Sequence, residues 1–278
     1  MSSCLFSVDV EDWFHILGLS TTPPVNEWLK LPSRVERNFA MILETLALYD
    51  AHVTCFFLGW IAERFPGLVK AAASAGHEIA SHGYAHQLVY SMTRQEFRRD
   101  AERSKKLLED LGGTPVWGYR APLFSCTKDT PWFFEELARC GYRFDSSIFP
   151  GSRWHGGIPG ERLDPSVIKT SSGSIAEFPI SLVSIFGKQL CFFGGGYLRL
   201  FPWPIIRPMA RRVQAEGRPV MFYVHPRDFD PDQPRLPVGM VRRFKSYVGL
   251  RSAAAKLHAI LQEFPVTTFR DHLGKCRL

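Results

Sequence analysis

Short apolar runs alternate with stretches of helical period through most of this chain, and that alternation restricts the folds open to it. The run "CLF" leading into "SVDVEDWFH" (7–15), then "HVTCFFLG" (52–59), "GHEIASH" (76–82), "PVWGYR" (115–120), "YRFDSS" (142–147), "PVMFYVH" (219–225) and "PVTTF" (265–269) read as strands. Helical patterns fill 33–50, 61–75, 93–112, 129–140, 205–216 and 239–263. Ser33 with Glu36, and Thr93 with Glu96, have the spacing of capping boxes, and Gly112 and Gly113 end the second of these helices. Such a rhythm predicts an α/β fold: a parallel sheet covered by helices, closed or nearly closed into a barrel. From about 148 to 204 the rhythm gives way to Gly, Pro, Ser and aromatic residues, with no linker long enough to divide the chain. The expectation is one domain over 1–278 carrying an irregular insertion.

Composition removes several function classes. A chain of 278 residues, 45% of them hydrophobic, can bury a large core, yet no window reaches the roughly 18 apolar residues of a membrane span. The net charge of +7 is scattered, with Arg pairs at 98–99, 211–212 and 242–243 instead of one stripe. That favours an anionic substrate, headgroup or membrane surface and argues against nucleic acid. Six cysteines form no CxxC pair, and the N-terminus lacks a charged region followed by an apolar one. Both features predict reduced thiols in a cytoplasmic protein.

The expected strand ends carry the groups that can do chemistry. Asp9, Glu11 and Asp12 crowd the end of the first strand; clustered carboxylates repel one another unless they face water or share a cation. His82 and His86 in "SHGYAH" stand i, i+4, so a helical turn would put both imidazoles on one face, a spacing that suits a metal ion. Two histidines and a carboxylate would leave positions open for water and substrate. Arg120 and His225 each follow a strand-like run, and a charged imidazole at the end of a buried strand requires a partner.

"SVDVEDWFH", "GHEIASHGYAH", "GYRAP", "YRFDSSIFP" and "FYVHP" occur in an order that resembles the five motifs of the polysaccharide deacetylase superfamily (NodB homology, carbohydrate esterase family four). "GGGYLRLFPWP" and "FRDHL" look like the branch associated with exopolysaccharide and O-antigen gene clusters. The resemblance implies a distorted (β/α) barrel of about seven parallel strands. It also implies a metal-dependent hydrolase that removes N-acetyl groups from a sugar of a bacterial polysaccharide or its precursor. By the same resemblance His82 and His86 are ligands of a divalent metal, zinc first, with cobalt, nickel or manganese also suited to such a site. Asp9 matches the base and Arg120 its partner. His225 matches the general acid and Asp145 the carboxylate beside it, while the backbone N–H of Leu123 would face the developing oxyanion. In the family's usual pattern base and metal carboxylate are adjacent, but "DVED" separates them. Strand alternation favours Glu11 as ligand, a bulge would bring in Asp12, and a third register makes Glu11 the base and Asp12 the ligand. Two other readings remain: a cyclic-amide or allantoin-like hydrolase of the same superfamily, and an inactive saccharide-binding module.

The segment "CFFGGGYLRLFPWPIIRPMARR" (191–212) interleaves aromatic residues with four arginines. It is expected to bring its glycines close to a bound sugar, with Tyr197, Phe201 and Trp203 as stacking faces. Arg199, Arg207, Arg211 and Arg212 would attract phosphate, as on a lipid-pyrophosphate-linked glycan met by peripheral contact with the inner membrane leaflet.

Overall fold

The computed structural model describes residues 4–19, 21–151 and 156–275. Eleven strands are present among them: β1 Cys4–Val10, β2 Thr54–Phe57, β3 Glu78–Ser81, β4 Gly118–Tyr119, β5 Phe144–Asp145, β6 Ser166–Thr170, β7 Gly173–Glu177, β8 Leu182–Ile185, β9 Lys188–Cys191, β10 Val220–Val224 and β11 Val266–Thr267. Nine of them make one sheet in the order β10-β1-β2-β3-β4-β5-β7-β6, with β11 alongside the start of β1, while β8 and β9 form a separate hairpin. All pairings in the large sheet are parallel except that of β6 with β7. The sheet therefore has eight parallel strands where about seven were expected. No described pairing joins β6 to β10, so the sheet curls into a half-barrel with flanking helices and does not close.

Alternation along β1 sets what each face does. Phe6, Val8 and Val10 point to the helices and join the larger core, whereas Leu5 points inward and packs with Phe56, Ala80, Phe144 and Met221. Each fully buried Phe of this kind stabilises the fold by about 2–3 kcal/mol. On the inward side of β1, Ser7 and Asp9 follow Leu5, so the polar end of the strand opens at the rim where the other parallel strands also finish.

Several expected helices are shorter or divided. The helical pattern at 61–75 is two helices, Gly59–Arg64 and Pro66–Ser74, because the residue before a proline is driven out of the α region. The stretch at 239–263 divides at Gly249 (φ 69°) into Met240–Tyr247 and Ala253–Glu263, with a short 3₁₀ turn between. Thr93 and Glu96 do form the capping box of helix Arg94–Gly112, and Gly113 ends it with φ 64°. Ser33 and Glu36 do not form one. Helix Val35–Ala47 begins after Arg34 without a side-chain cap of its own. The carboxylate of Asp12 takes that place, accepting Ser33 Oγ at 2.5 Å, Arg34 N at 3.0 Å and Val35 N at 3.3 Å. A carboxylate is a stronger acceptor than a hydroxyl and favours the positive end of a helix.

Candidate active site and metal centre

A cleft of about 500 Å³ opens at the carboxyl ends of the parallel strands, and Asp9, Glu11, His82, His86, Leu123 and His225 all line it. The two histidines reach it without the helical turn their spacing suggests. Residues 82–88 are irregular, and the left-handed backbone of Gly83 (φ 74°) and His86 (φ 52°) folds His86 back beside His82. Their rings lie 5.2 Å apart.

Both imidazoles aim Nε2 at one oxygen of Glu11, His82 at 3.1 Å and His86 at 3.0 Å. His82 Nδ1 lies 2.7 Å from the carbonyl oxygen of Arg120, which can only accept, so Nδ1 donates and Nε2 is the nitrogen left to face Glu11. Neither ring nitrogen of His86 makes a hydrogen bond with a described residue, although the ring is buried. Two nitrogens and one oxygen with this convergence fit a zinc-like divalent ion and leave coordination positions facing the cleft. Burial opposes charge on Glu11, but His86, His225 and His82 together hold its carboxyl well below the usual range. Asp12 turns away to cap helix Val35–Ala47, which leaves Glu11 as the carboxylate in this cluster.

Asp9 and Arg120 form the next layer. Arg120 Nη1 donates to Asp9 Oδ1 at 2.6 Å and to Ser7 Oγ at 2.7 Å, and its other nitrogens reach the Ser146 carbonyl and hydroxyl. The guanidinium lies 4.1 Å from the centre of the Phe56 ring and is wholly buried. One residue thus orients Asp9 through its side chain and His82 through its backbone carbonyl. The other oxygen of Asp9 is 3.9 Å from His225 Nε2.

The carboxylate beside His225 is Asp228, not Asp145. Asp228 Oδ2 lies 2.9 Å from His225 Nδ1 and accepts the His225 backbone N–H at the same distance. Asp145 instead accepts Ser147 N and Oγ and stands against Glu177, which receives the Ile148 N–H. Burial raises both carboxyls, Asp145 to about 6 and Glu177 well above its usual range. Burial works against a charged His225, and the Asp228, Glu11 and Asp9 carboxylates outweigh it and raise its pKa. Asp228 is itself held low: burial alone would raise it, but Arg199, at 2.9 Å from Oδ1, and His225 dominate.

Arg199 is thus an internal cation and not a phosphate site. The other arginines of 191–212 are also paired: Arg207 and Arg211 with Glu263, and Arg212 with Glu216. Trp203 packs edge-on toward Phe264 against the core and Phe201 lies 4.8 Å from Phe192, so neither offers a face to the cleft; Tyr197 does line it. The glycines serve a close approach within the fold, since a Cβ on Gly194 would lie 1.9 Å from the Tyr223 ring. Leu123 reaches the cleft with a left-handed backbone, φ 55°. Sequence reasoning missed the roles of Asp228 and His15, and it read Arg199 as a phosphate contact instead of the partner of Asp228. His15 accepts the Asp12 N–H at Nδ1 and is buried at the cleft wall among Phe14, Trp28 and Trp60; its place in "VEDWFH", just after the carboxylates, was the available signal.

Residues 31–144 match the family model described as polysaccharide deacetylase, and residues 146–274 match one described as a domain of unknown function (DUF3473). Over 107 residues the chain is 31% identical to a peptidoglycan deacetylase of Helicobacter pylori, covering 38% of this chain and 36% of that protein. Over 72 residues it is 35% identical to a peptidoglycan-N-acetylglucosamine deacetylase of Bacillus cereus, covering 26% of each. The matched stretches thus span about a third or less of these relatives' own length. In fold the chain resembles a Mycobacterium smegmatis protein named a polysaccharide deacetylase, with TM-score 0.67 and 18% identity over 100% of this chain and 91% of that one. It also resembles Puue allantoinase, with TM-score 0.61 and 16% identity over 99% and 90%.

Proposed function

We propose that this chain, which carries a polysaccharide deacetylase domain of the NodB/CE4 family, is a metal-dependent hydrolase that removes N-acetyl groups from a sugar of a bacterial polysaccharide or its precursor. The observation that carries this reading is the convergence of His82 and His86 on Glu11, with Asp9 and His225 flanking it in one cleft. Glu11, His82 and His86 would hold the ion, which when bound supplies Lewis acidity and a water acidic enough to lose its proton near neutral pH.

The chain's own groups account for the proton transfers. Asp9 accepts the proton of the attacking water, and Arg120, donating to its Oδ1 at 2.6 Å, keeps that carboxylate oriented at the cleft. Water oxygen bonds to the acetyl carbon, the carbon–nitrogen bond breaks, and acetate and a free amine result. His225 Nε2 gives its proton to the departing nitrogen, while Asp228 holds the opposite ring nitrogen and favours the charged ring before transfer. The backbone N–H of Leu123 faces the developing negative charge on the acetyl oxygen. Arg120 and Asp228 each place a group on one side of the scissile bond, which explains why both are buried and rigidly bonded.

An allantoin-like hydrolase would use the same barrel, and the structural likeness extends to such an enzyme. Retention of the ligand cluster together with both proton-transfer groups favours the deacetylase over that reading and over an inactive saccharide-binding module. The test is acetate release from a panel of N-acetylated acceptors, including N-acetylglucosamine oligomers and peptidoglycan fragments, beside ring opening of allantoin. Acetate release that requires a divalent metal supports the proposal; allantoin turnover without acetate release overturns it.

A further inference from the structure

The helix Met240–Tyr247 rests on the rim of the cleft and turns an unusual face outward. Met240 is 88% exposed, Val241 72% and Phe244 57%, while Ser246 and Tyr247 are buried beneath. Arg243 and Lys245 are exposed on the same helix, and neither makes an ion pair with a described residue. From Gln233 to Gln262 the chain has no Asp or Glu, against Arg235, Arg242, Arg243, Lys245, Arg251 and Lys256. This contrasts with helix Trp203–Ala215, whose exposed arginines are neutralised by Glu263 and Glu216. The rim helix is tied to Gly195–Leu200 through Arg199, whose guanidinium reaches the backbone carbonyls of Val248 at 2.6 Å and Lys245 at 3.5 Å. Leu200, itself 42% exposed, continues the apolar surface to the cleft mouth, which Phe244 and Lys245 also line.

We propose that this face docks the protein on an anionic lipid bilayer. Large unpartnered apolar side chains beside uncompensated cations, with no acid in the surrounding thirty residues, match an interface whose headgroups are negative and whose acyl boundary is apolar. Nucleic acid would match the charge and leave Met240, Val241 and Phe244 unexplained. The cleft then opens along the bilayer, so a saccharide carried on a lipid would enter without leaving the surface. That consequence rests on the proposed deacetylase reading; docking itself does not.

The test is co-sedimentation of the full chain with phosphatidylcholine vesicles, alone and mixed with phosphatidylglycerol. The protein should sediment with the mixed vesicles, leave them at high salt and ignore the neutral ones. A Met240→Ser, Val241→Ser, Phe244→Ser variant should lose about tenfold or more in partitioning, and so should Arg243→Gln with Lys245→Gln. Arg207→Gln with Arg211→Gln should bind as the parent does. These exposed substitutions are checked for folding by circular dichroism and thermal melting. Failure to bind the mixed vesicles, binding that survives the rim substitutions, or equal binding of a DNA oligonucleotide lost through the cations alone would overturn the proposal. Vesicle binding by a protein that releases acetate from no sugar would overturn the functional reading instead, and an active protein that ignores vesicles would do the reverse.

Discussion

Arg199 and Asp228 form an ion pair away from solvent, Nε to Oδ1 at 2.9 Å, and the other oxygen of the same carboxylate holds His225 Nδ1. Arg199 therefore acts on His225 through Asp228 without touching it. Asp228→Asn keeps an acceptor beside His225 and should lower kcat by about 10²–10⁴-fold, with KM changed far less, because it removes the charge that supports a proton donor; it also costs stability, since it leaves the buried Arg199 without its anion. Arg199→Leu should cost about 3–5 kcal/mol of stability by leaving a buried carboxylate without its cation. Steady-state kinetics and thermal melts of both variants check this. A kcat loss on Asp145→Asn with none on Asp228→Asn would return the pairing role to Asp145.

The three carboxylates of "DVED" should separate by experiment. Glu11→Gln, His82→Ala and His86→Ala should each lose tightly bound divalent metal and nearly all turnover while remaining folded. Asp9→Asn should keep the metal and lose activity, since its oxygens meet Arg120 and His225. Asp12→Asn should keep the metal and lose about 1 kcal/mol of stability, as expected when a helix loses part of its cap. Elemental analysis of each purified variant, beside its melting temperature, decides the assignment. A metal-replete His82→Ala protein would dissolve the proposed centre.

Gly83→Ala should damage the site through the backbone. At φ 74° an added Cβ is strained and would lie 3.0 Å from Asp100 Oδ2, which accepts the Tyr84 N–H. A loss of about 1 kcal/mol is expected, with weaker metal retention because His82 and His86 flank the turn. Titration of the apo-variant with zinc measures the second effect independently of turnover, and parent-like affinity would show that the turn tolerates the change.

The strand–helix rhythm made the barrel-like sheet legible, because parallel strands buried on both faces leave continuous apolar runs such as "VMFYV" and "TCFF". Incomplete closure was not legible, since it depends on β6 and β10 remaining unpaired across the gap. Asp9, Arg120, His82, His86 and His225 could be singled out because each lies near the end of a strand or shortly after it and carries a distinctive side chain. Asp228 was overlooked because its contact with His225 is made inside a 3₁₀ turn three residues on, where sequence spacing carries no periodic signal. Arg199, Arg207 and Arg211 misled for a related reason: their partners Asp228 and Glu263 are distant in sequence, so paired and free cations look alike. Ser33 had the spacing of a cap, but Asp12, 21 residues earlier, is the stronger acceptor.

Glu78 provides a test of the fold that does not involve the cleft chemistry. It lies in β3, accepts Thr54 Oγ1 at 2.7 Å and Arg270 N at 3.1 Å, and burial pushes its carboxyl up to about 7. In the unfolded chain it would titrate near 4.5. Between these values the native state retains a proton that the unfolded state has lost, so this group makes stability fall as pH rises through the window and level off above it. Glu78→Gln keeps an acceptor for both bonds and removes the ionisation. Relative to the parent, the variant should therefore gain stability from pH 5 to pH 7, by up to about 3 kcal/mol. Urea denaturation of both proteins at closely spaced pH values reads the difference, and parallel profiles across that range would mean that Glu78 ionises in the folded protein as it does in the unfolded chain.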